Sequence, residues 1–167
     1  MELWDLYNAD RVIIGEHIRG NKLPENAYHI VVHVWIKNSQ GKYLISQRSK
    51  NRPTFPLMYE CVGGSVLKGE NSLQGALREV KEEVGITLSE ESGGLILSKR
   101  RDTINGKTFN DFLDIWLFRY DGDISLEMAT TDEVEKSFWL SRDEIMNLYR
   151  EKKLVESLSY FFEIVDI

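Results

Sequence analysis

The apolar positions of the chain switch between a period of two and a period near 3.6, and each switch predicts an element. From His29 to Lys37 the chain alternates, with Ile30, Val32, Val34 and Ile36 on one face and His29, Val31, His33 and Trp35 on the other. Both faces are largely apolar, as in a central strand covered on two sides. Leu3 to Leu6 and Val12 to Gly15 read as short strands of an N-terminal hairpin around Asn8-Ala9-Asp10, with a loop around Pro24 after it. Asn38 to Gly41 is a turn that brings Tyr43 to Gln47 back as the hairpin partner of the central strand. Leu57 to Val62 then reads as a short strand leading into Gly63-Gly64.

Beyond the glycines the period becomes helical. Leu73, Ala76, Leu77, Val80 and Val84 fall on one stripe at about 100° per residue. Asn71 and Gln74 form a capping-box pair at the start, and Gly85 supplies a left-handed stop. Further strands are predicted at Leu95 to Arg100 and Lys107 to Tyr120, joined by Asn105-Gly106, and at Lys136 to Leu140. Ser141 with Glu144 opens a helix to about Tyr149, and Leu154, Leu158, Phe161, Phe162 and Val165 predict a terminal amphipathic helix. The fold class is α/β: a mixed sheet between helices, in one domain over residues 1–167, with 1–26 a hairpin and loop and 141–167 the C-terminal helices.

The other face of the central helix carries the chemistry. Glu79, Glu82 and Glu83 lie together, centred about 130° from the apolar stripe. Like charges at these spacings repel by roughly 0.2–0.5 kcal/mol per pair, and Arg78 and Lys81 relieve only part of it. One reading is a solvated charged face. The other is a site for a divalent cation, since hard carboxylate oxygens suit Mg²⁺ or Mn²⁺, with Glu70 and a backbone carbonyl near Gly63-Gly64 at hand.

Composition narrows the partners. A net charge of −6 and a pI near 5.2 argue against broad nucleic-acid binding, while small anionic substrates remain compatible through metal ions. Cys61 is the single cysteine, so no internal disulfide forms. Neither a signal-peptide pattern nor an 18-residue apolar run is present, which predicts no membrane span and a cytoplasmic protein. Arg48, Lys50 and Arg52 sit in a loop that is either solvated or reaches for phosphate. Among the residues after it, Phe55, Met58 and Tyr59 are candidates to line a pocket. Asp111 and Asp114, inside a strand, are expected to be either solvent-facing or functional.

The spacing from Gly64 through Glu70, Arg78-Glu79-Val80, Glu82-Glu83 and Gly85-Ile86 resembles the complete signature of the Nudix hydrolase family. The resemblance implies an α/β/α sandwich and Mg²⁺- or Mn²⁺-dependent cleavage of a diphosphate linkage in a nucleoside diphosphate joined to another group, X. It implies Glu79, Glu82, Glu83 and the Gly64 carbonyl as metal ligands, with one glutamate as a possible base. Arg78 would orient the glutamates and Glu70 would support them. In this family the base can also lie outside the signature, where Glu133, Glu135 and Asp114 are candidates. Arg48, Phe55 and Tyr59 are the candidate substrate contacts, and Trp35, Phe109 and Trp116 join Phe55 and Tyr59 as residues able to stack on a base.

A narrower likeness runs from His29 to Glu70, which resembles the branch containing isopentenyl-diphosphate isomerase. Where that enzyme has its cysteine and a neighbouring histidine ligand, this chain has Gly63 and Ser65, so hydrolysis is favoured over isomerisation. A catalytically silent nucleotide-binding module is a third reading, and the intact glutamate set speaks against it. Edge strands of the N-terminal hairpin make a homodimer an expectation.

Overall fold

The alternating segment His29–Lys37 becomes β3, the strand around which two layers assemble in the computed structural model, which describes residues 1–104, 106–164 and 167. One edge of β3 pairs in parallel with β8 (Lys107–Arg119), from His29 opposite Asp111 to Lys37 opposite Arg119. Its other edge is taken by β6 (Val62–Ser65), antiparallel, with Val32 opposite Gly64 and His33 opposite Gly63. β7 (Gly93–Ile104) extends the sheet beyond β8. On the far side, β4 (Tyr43–Arg48) pairs with β5 (Tyr59–Glu60) and with β9 (Val134–Leu140).

The expected hairpin of the central strand therefore pairs only at its mouth, Lys37 with Tyr43. β4 then leaves β3, because β6 occupies that edge. The predicted strand over Leu57 to Val62 also divides. Leu57 is exposed with φ at +62°, β5 joins β4, and only from Val62 does the chain join β3.

Helix α1 (Ser72–Val84) forms as its caps dictate: the Asn71 side chain accepts from the Gln74 amide at 2.8 Å, Gln74 returns to the Asn71 amide, and Gly85 ends it at φ +72°. Its Ala76, Val80 and Val84 pack on Ile30, Val32, Val34 and Ile36. The opposite sheet face, with Trp35, Leu113 and Ile115, is covered by α2 (Arg142–Arg150) and the C-terminal segment. That segment is a 3₁₀ run, Glu156–Phe162, instead of the amphipathic helix predicted from Leu154 onward. Backbone bonds from Tyr59 to Lys153 and from Val155 to Tyr59 hold 153–155 extended, so helical turns cannot start before Glu156. Val165 of that predicted stripe, and Asn105 of the predicted turn, lie outside the described residues.

The N-terminal hairpin, β1 (Leu3–Tyr7) with β2 (Ile13–Ile18), forms as expected in a sheet of its own. It is tied to the main sheet by a bridge from Tyr7 to Tyr28 and by Arg11, which reaches Asp114.

Candidate active site

The carboxylates of α1 are not an exposed face. Glu83 is 5% exposed, and the Glu79 side chain keeps 13% of its surface against 38% for Glu82. Two segments remote in sequence cover them: the amides of Thr130 and Thr131 bond the Glu82 carbonyl, and the Ser49 amide bonds the Glu133 carbonyl. Burial pushes the Glu79 carboxyl up to about 7 although Arg78 pulls it down. Burial, followed by the charges of Glu79, Glu60 and Glu133, raises Glu83 well above the usual carboxylate range.

Arg78 sits among these groups as a hub. Its guanidinium donates to both oxygens of Glu70 at 2.7 and 3.0 Å, to Glu79 at 2.9 Å, to Glu82 at 3.1 Å and to the Ser65 carbonyl at 2.9 Å. Glu70 also accepts from the Leu67 amide at 3.0 Å, so it braces the loop. Gly64 brings backbone against the carboxylate: a Cβ there would fall on Glu79, with Oε2 2.7 Å away. Glu133 is paired with Arg52 at 2.6 Å. Glu60, which sequence reasoning passed over inside an apolar run, belongs to the same neighbourhood. Its carboxyl is raised by burial, and its charge acts on Glu83. The signal that could have found it is its strand position four residues before Gly64, next to the approach to the glycine pair.

As the side chains stand, no three carboxylates, histidines or cysteines among the described residues are arranged to hold a metal ion. Arg78 is paired with Glu79 and Glu82, and Arg52 with Glu133. The donors nevertheless suit a hard dication, because Glu83 is buried among like charges and Gly64 leaves room for a carbonyl beside Glu79.

Several predicted contacts lie elsewhere. Arg48 is not a phosphate-reaching residue: it is 7% exposed, held by Glu60 at 2.7 Å and by Thr54. Tyr59 lines a cleft with Phe138, Leu140 and Leu148, apart from Phe55. Trp35 is fully buried and donates to the Tyr160 hydroxyl, and Trp116 donates to Ser72. Asp111 and Asp114 are neither solvent-facing nor free: Arg101 grips the first with two bonds of 2.7 Å, and Arg11 with Ser98 holds the second. Glu135 is exposed on β9. Phe55 and Phe109 do share a pocket, with Lys99, Arg101, Lys107 and Tyr160.

The family model described as NUDIX domain matches residues 27–162, a span that includes β3, the Gly64 loop, α1 and Glu133. The chain belongs to the Nudix family. An uncharacterised Nudix hydrolase of Listeria innocua is 36% identical over 164 residues, covering 97% of this chain and 91% of the relative. One from Listeria monocytogenes is 35% identical over the same shares. Among solved structures, DR0079 of Deinococcus radiodurans has the same fold, with a TM-score of 0.75 at 22% identity over 97% of this chain and 98% of its own. A bifunctional NMN adenylyltransferase/ADP ribose pyrophosphatase of Francisella tularensis, solved with AMP and a Mn ion, has a TM-score of 0.62 at 20% identity. The match covers 83% of this chain and 41% of that one. With the complete Nudix signature and these full-length relatives, the chain is a pyrophosphohydrolase with the Nudix α/β/α fold.

Proposed function

We propose that this Nudix protein hydrolyses a diphosphate linkage in a nucleoside diphosphate joined to a further group X, using Mg²⁺ or Mn²⁺. The observation that carries the reading is the assembly of Glu79, Glu82 and Glu83 beside a glycine backbone, with Glu83 buried among carboxylates whose charge a bound cation would offset. Those three glutamates and the Gly64 carbonyl would hold the metal. Bound there, a dication would screen the phosphate oxygens and make water a better nucleophile. Arg78 is a positioning residue, since every group it bonds is a glutamate or the loop backbone. Glu133 is the candidate base from outside the signature, and its partner Arg52 becomes free to meet a phosphate once Glu133 turns to other work. The nucleotide class draws support from the structure of the same fold solved with AMP and a Mn ion.

Isomerase chemistry has less support. A Cβ on Gly63 would come within 2.8 Å of the Val32 carbonyl, so a cysteine has no room there, and Cys61 is buried with its thiol pushed up by burial. Among the described residues, no helix is long and apolar enough to cross a membrane. The substrate would be a small soluble molecule met in the cytoplasm.

The test is release of nucleotide or phosphate from a panel of nucleoside diphosphate derivatives with Mg²⁺ or Mn²⁺. Glu82→Gln and Glu83→Gln are each expected to lower kcat by about 10² or more, the scale of losing one group that stabilises transition-state charge. Metal-independent turnover, or full activity in both variants, overturns the reading.

A further inference from the structure

The Nudix signature leaves a second concavity unexplained. It lies on the sheet face opposite α1, has a volume of about 640 Å³, and has Tyr160 and Arg101 buried at its base. That volume is within the usual range for small-molecule sites. Each of its three cations stands over an aromatic ring. Lys99 Nζ is 5.3 Å from the Tyr160 centroid, Lys107 Nζ is 5.4 Å from that of Phe55, and the Arg101 guanidinium is 4.4 Å from that of Phe109.

The charges are unbalanced. Asp111 neutralises Arg101 through two 2.7 Å bonds, whereas neither lysine has an ion-pair partner among the described residues. Among the described residues, Glu156 is the lone carboxylate lining the pocket. A positive pocket on a chain of net charge −6 is a local arrangement against the global sign. Phe55, 43% exposed, and Phe109, half-buried, offer faces on which a planar heterocycle can lie.

The pocket and the carboxylates share one loop. Arg52 of that loop holds Glu133, and Phe55, three residues on, forms a pocket wall. Three residues span at most about 11 Å, so one elongated ligand can touch both. The diphosphate would lie at the carboxylates. The lysines stand on the other side of the sheet, where a second anion can pair with them.

We propose that this pocket takes the nucleoside of the substrate, and that this nucleoside carries a phosphomonoester on its ribose, outside the linkage that is cleaved. The base lies against Phe55 and Phe109, and the phosphomonoester pairs with Lys99 and Lys107. A ribose hydroxyl is the one place on a nucleoside diphosphate where an extra dianion can sit while the base stays stacked. The proposal rests on reading the carboxylates as the seat of the diphosphate.

The experiment is calorimetric titration of the full chain in EDTA with the 5′-monophosphates of the four common nucleosides and with their 2′,5′- and 3′,5′-bisphosphates. For at least one base, a bisphosphate is expected to bind at least about tenfold tighter than the monophosphate, the scale of an added charge-assisted pair. In the Lys99→Met, Lys107→Met double variant that ratio falls toward one, while the melting temperature stays that of the parent. Equal affinities for every base, a preference that survives in the double variant, or no binding at all overturns the proposal. The titration needs neither metal nor turnover. A protein that prefers bisphosphates yet hydrolyses nothing would sink the hydrolase reading and leave the pocket standing.

Discussion

Gly63 and Gly64 are neighbours that do different work. The space beside Gly64 is filled by the free end of Glu79, which can swing away, whereas the space beside Gly63 is closed by the Val32 carbonyl, which cannot. Gly64→Ala is therefore expected to leave the melting temperature nearly unchanged while weakening Mg²⁺ or Mn²⁺ binding about 10–100-fold, the effect typical of disturbing a ligand's support. Gly63→Ala should instead lose stability, about 1–3 kcal/mol as for other overpacked sites, read by urea unfolding. Glu79 also carries a pH signature. With its carboxyl raised to about 7, it is protonated below that value, and a metal needs the anion. Metal affinity should fall steeply as the pH drops below 7, with protons released from both Glu79 and Glu83 as an ion binds. Titrations in buffers of different ionisation enthalpy check this, and Glu79→Gln should lower the number of protons released.

At the scale of elements, local and non-local devices separate cleanly. The cap of α1 is written within four residues, Asn71 to Gln74, and it was legible because the bonds it makes are local. Asn71→Ala should cost about 1 kcal/mol in thermal unfolding. The ion pair across β7 and β8 was not legible: an aspartate in a strand could have faced water or a ligand. Only the register that sets Arg101 opposite Asp111 buries both and joins them. Arg101→Ala leaves Asp111 buried and unpaired, an expected loss of about 3–5 kcal/mol. Arg19→Ala, whose partner Glu2 is half-exposed, is expected to change stability by less than about 1 kcal/mol. The C-terminal segment shows the same limit. Its apolar spacing suits an α-helix, yet pairing of Tyr59 with residues 153–155 delays the turns and leaves room for a 3₁₀ run only.

At the scale of the whole molecule, the two-layered sheet buries His29 at its flank and half-buries His33 at its centre. Burial, then the charge of Arg101, depresses His29 to about 4 and His33 to about 3. Both are neutral in the fold, while the unfolded chain takes up protons near 6.5, so stability is whole above that pH and is lost as the pH falls below it. At pH 5 each costs up to about 2 kcal/mol. His29→Phe should flatten part of that acid slope in urea unfolding at pH 5 and 7.5, since the ring stacks on Trp4 at 3.9 Å and its Nδ1 has no partner to lose. The strand and helix periods, both capping boxes, and the spacing that unites Gly64 with Glu79, Glu82 and Glu83 can be read along the chain, because each is a relation between residues close in sequence. Tertiary structure alone decided which carboxylates are buried, that Arg48 serves Glu60, that Arg52 holds Glu133, and that Phe55 and Phe109 meet the lysines across the sheet. Those outcomes depend on which distant segment covers which side chain. Desolvation, the force that chooses a charge's partner, exists only once the layers have closed.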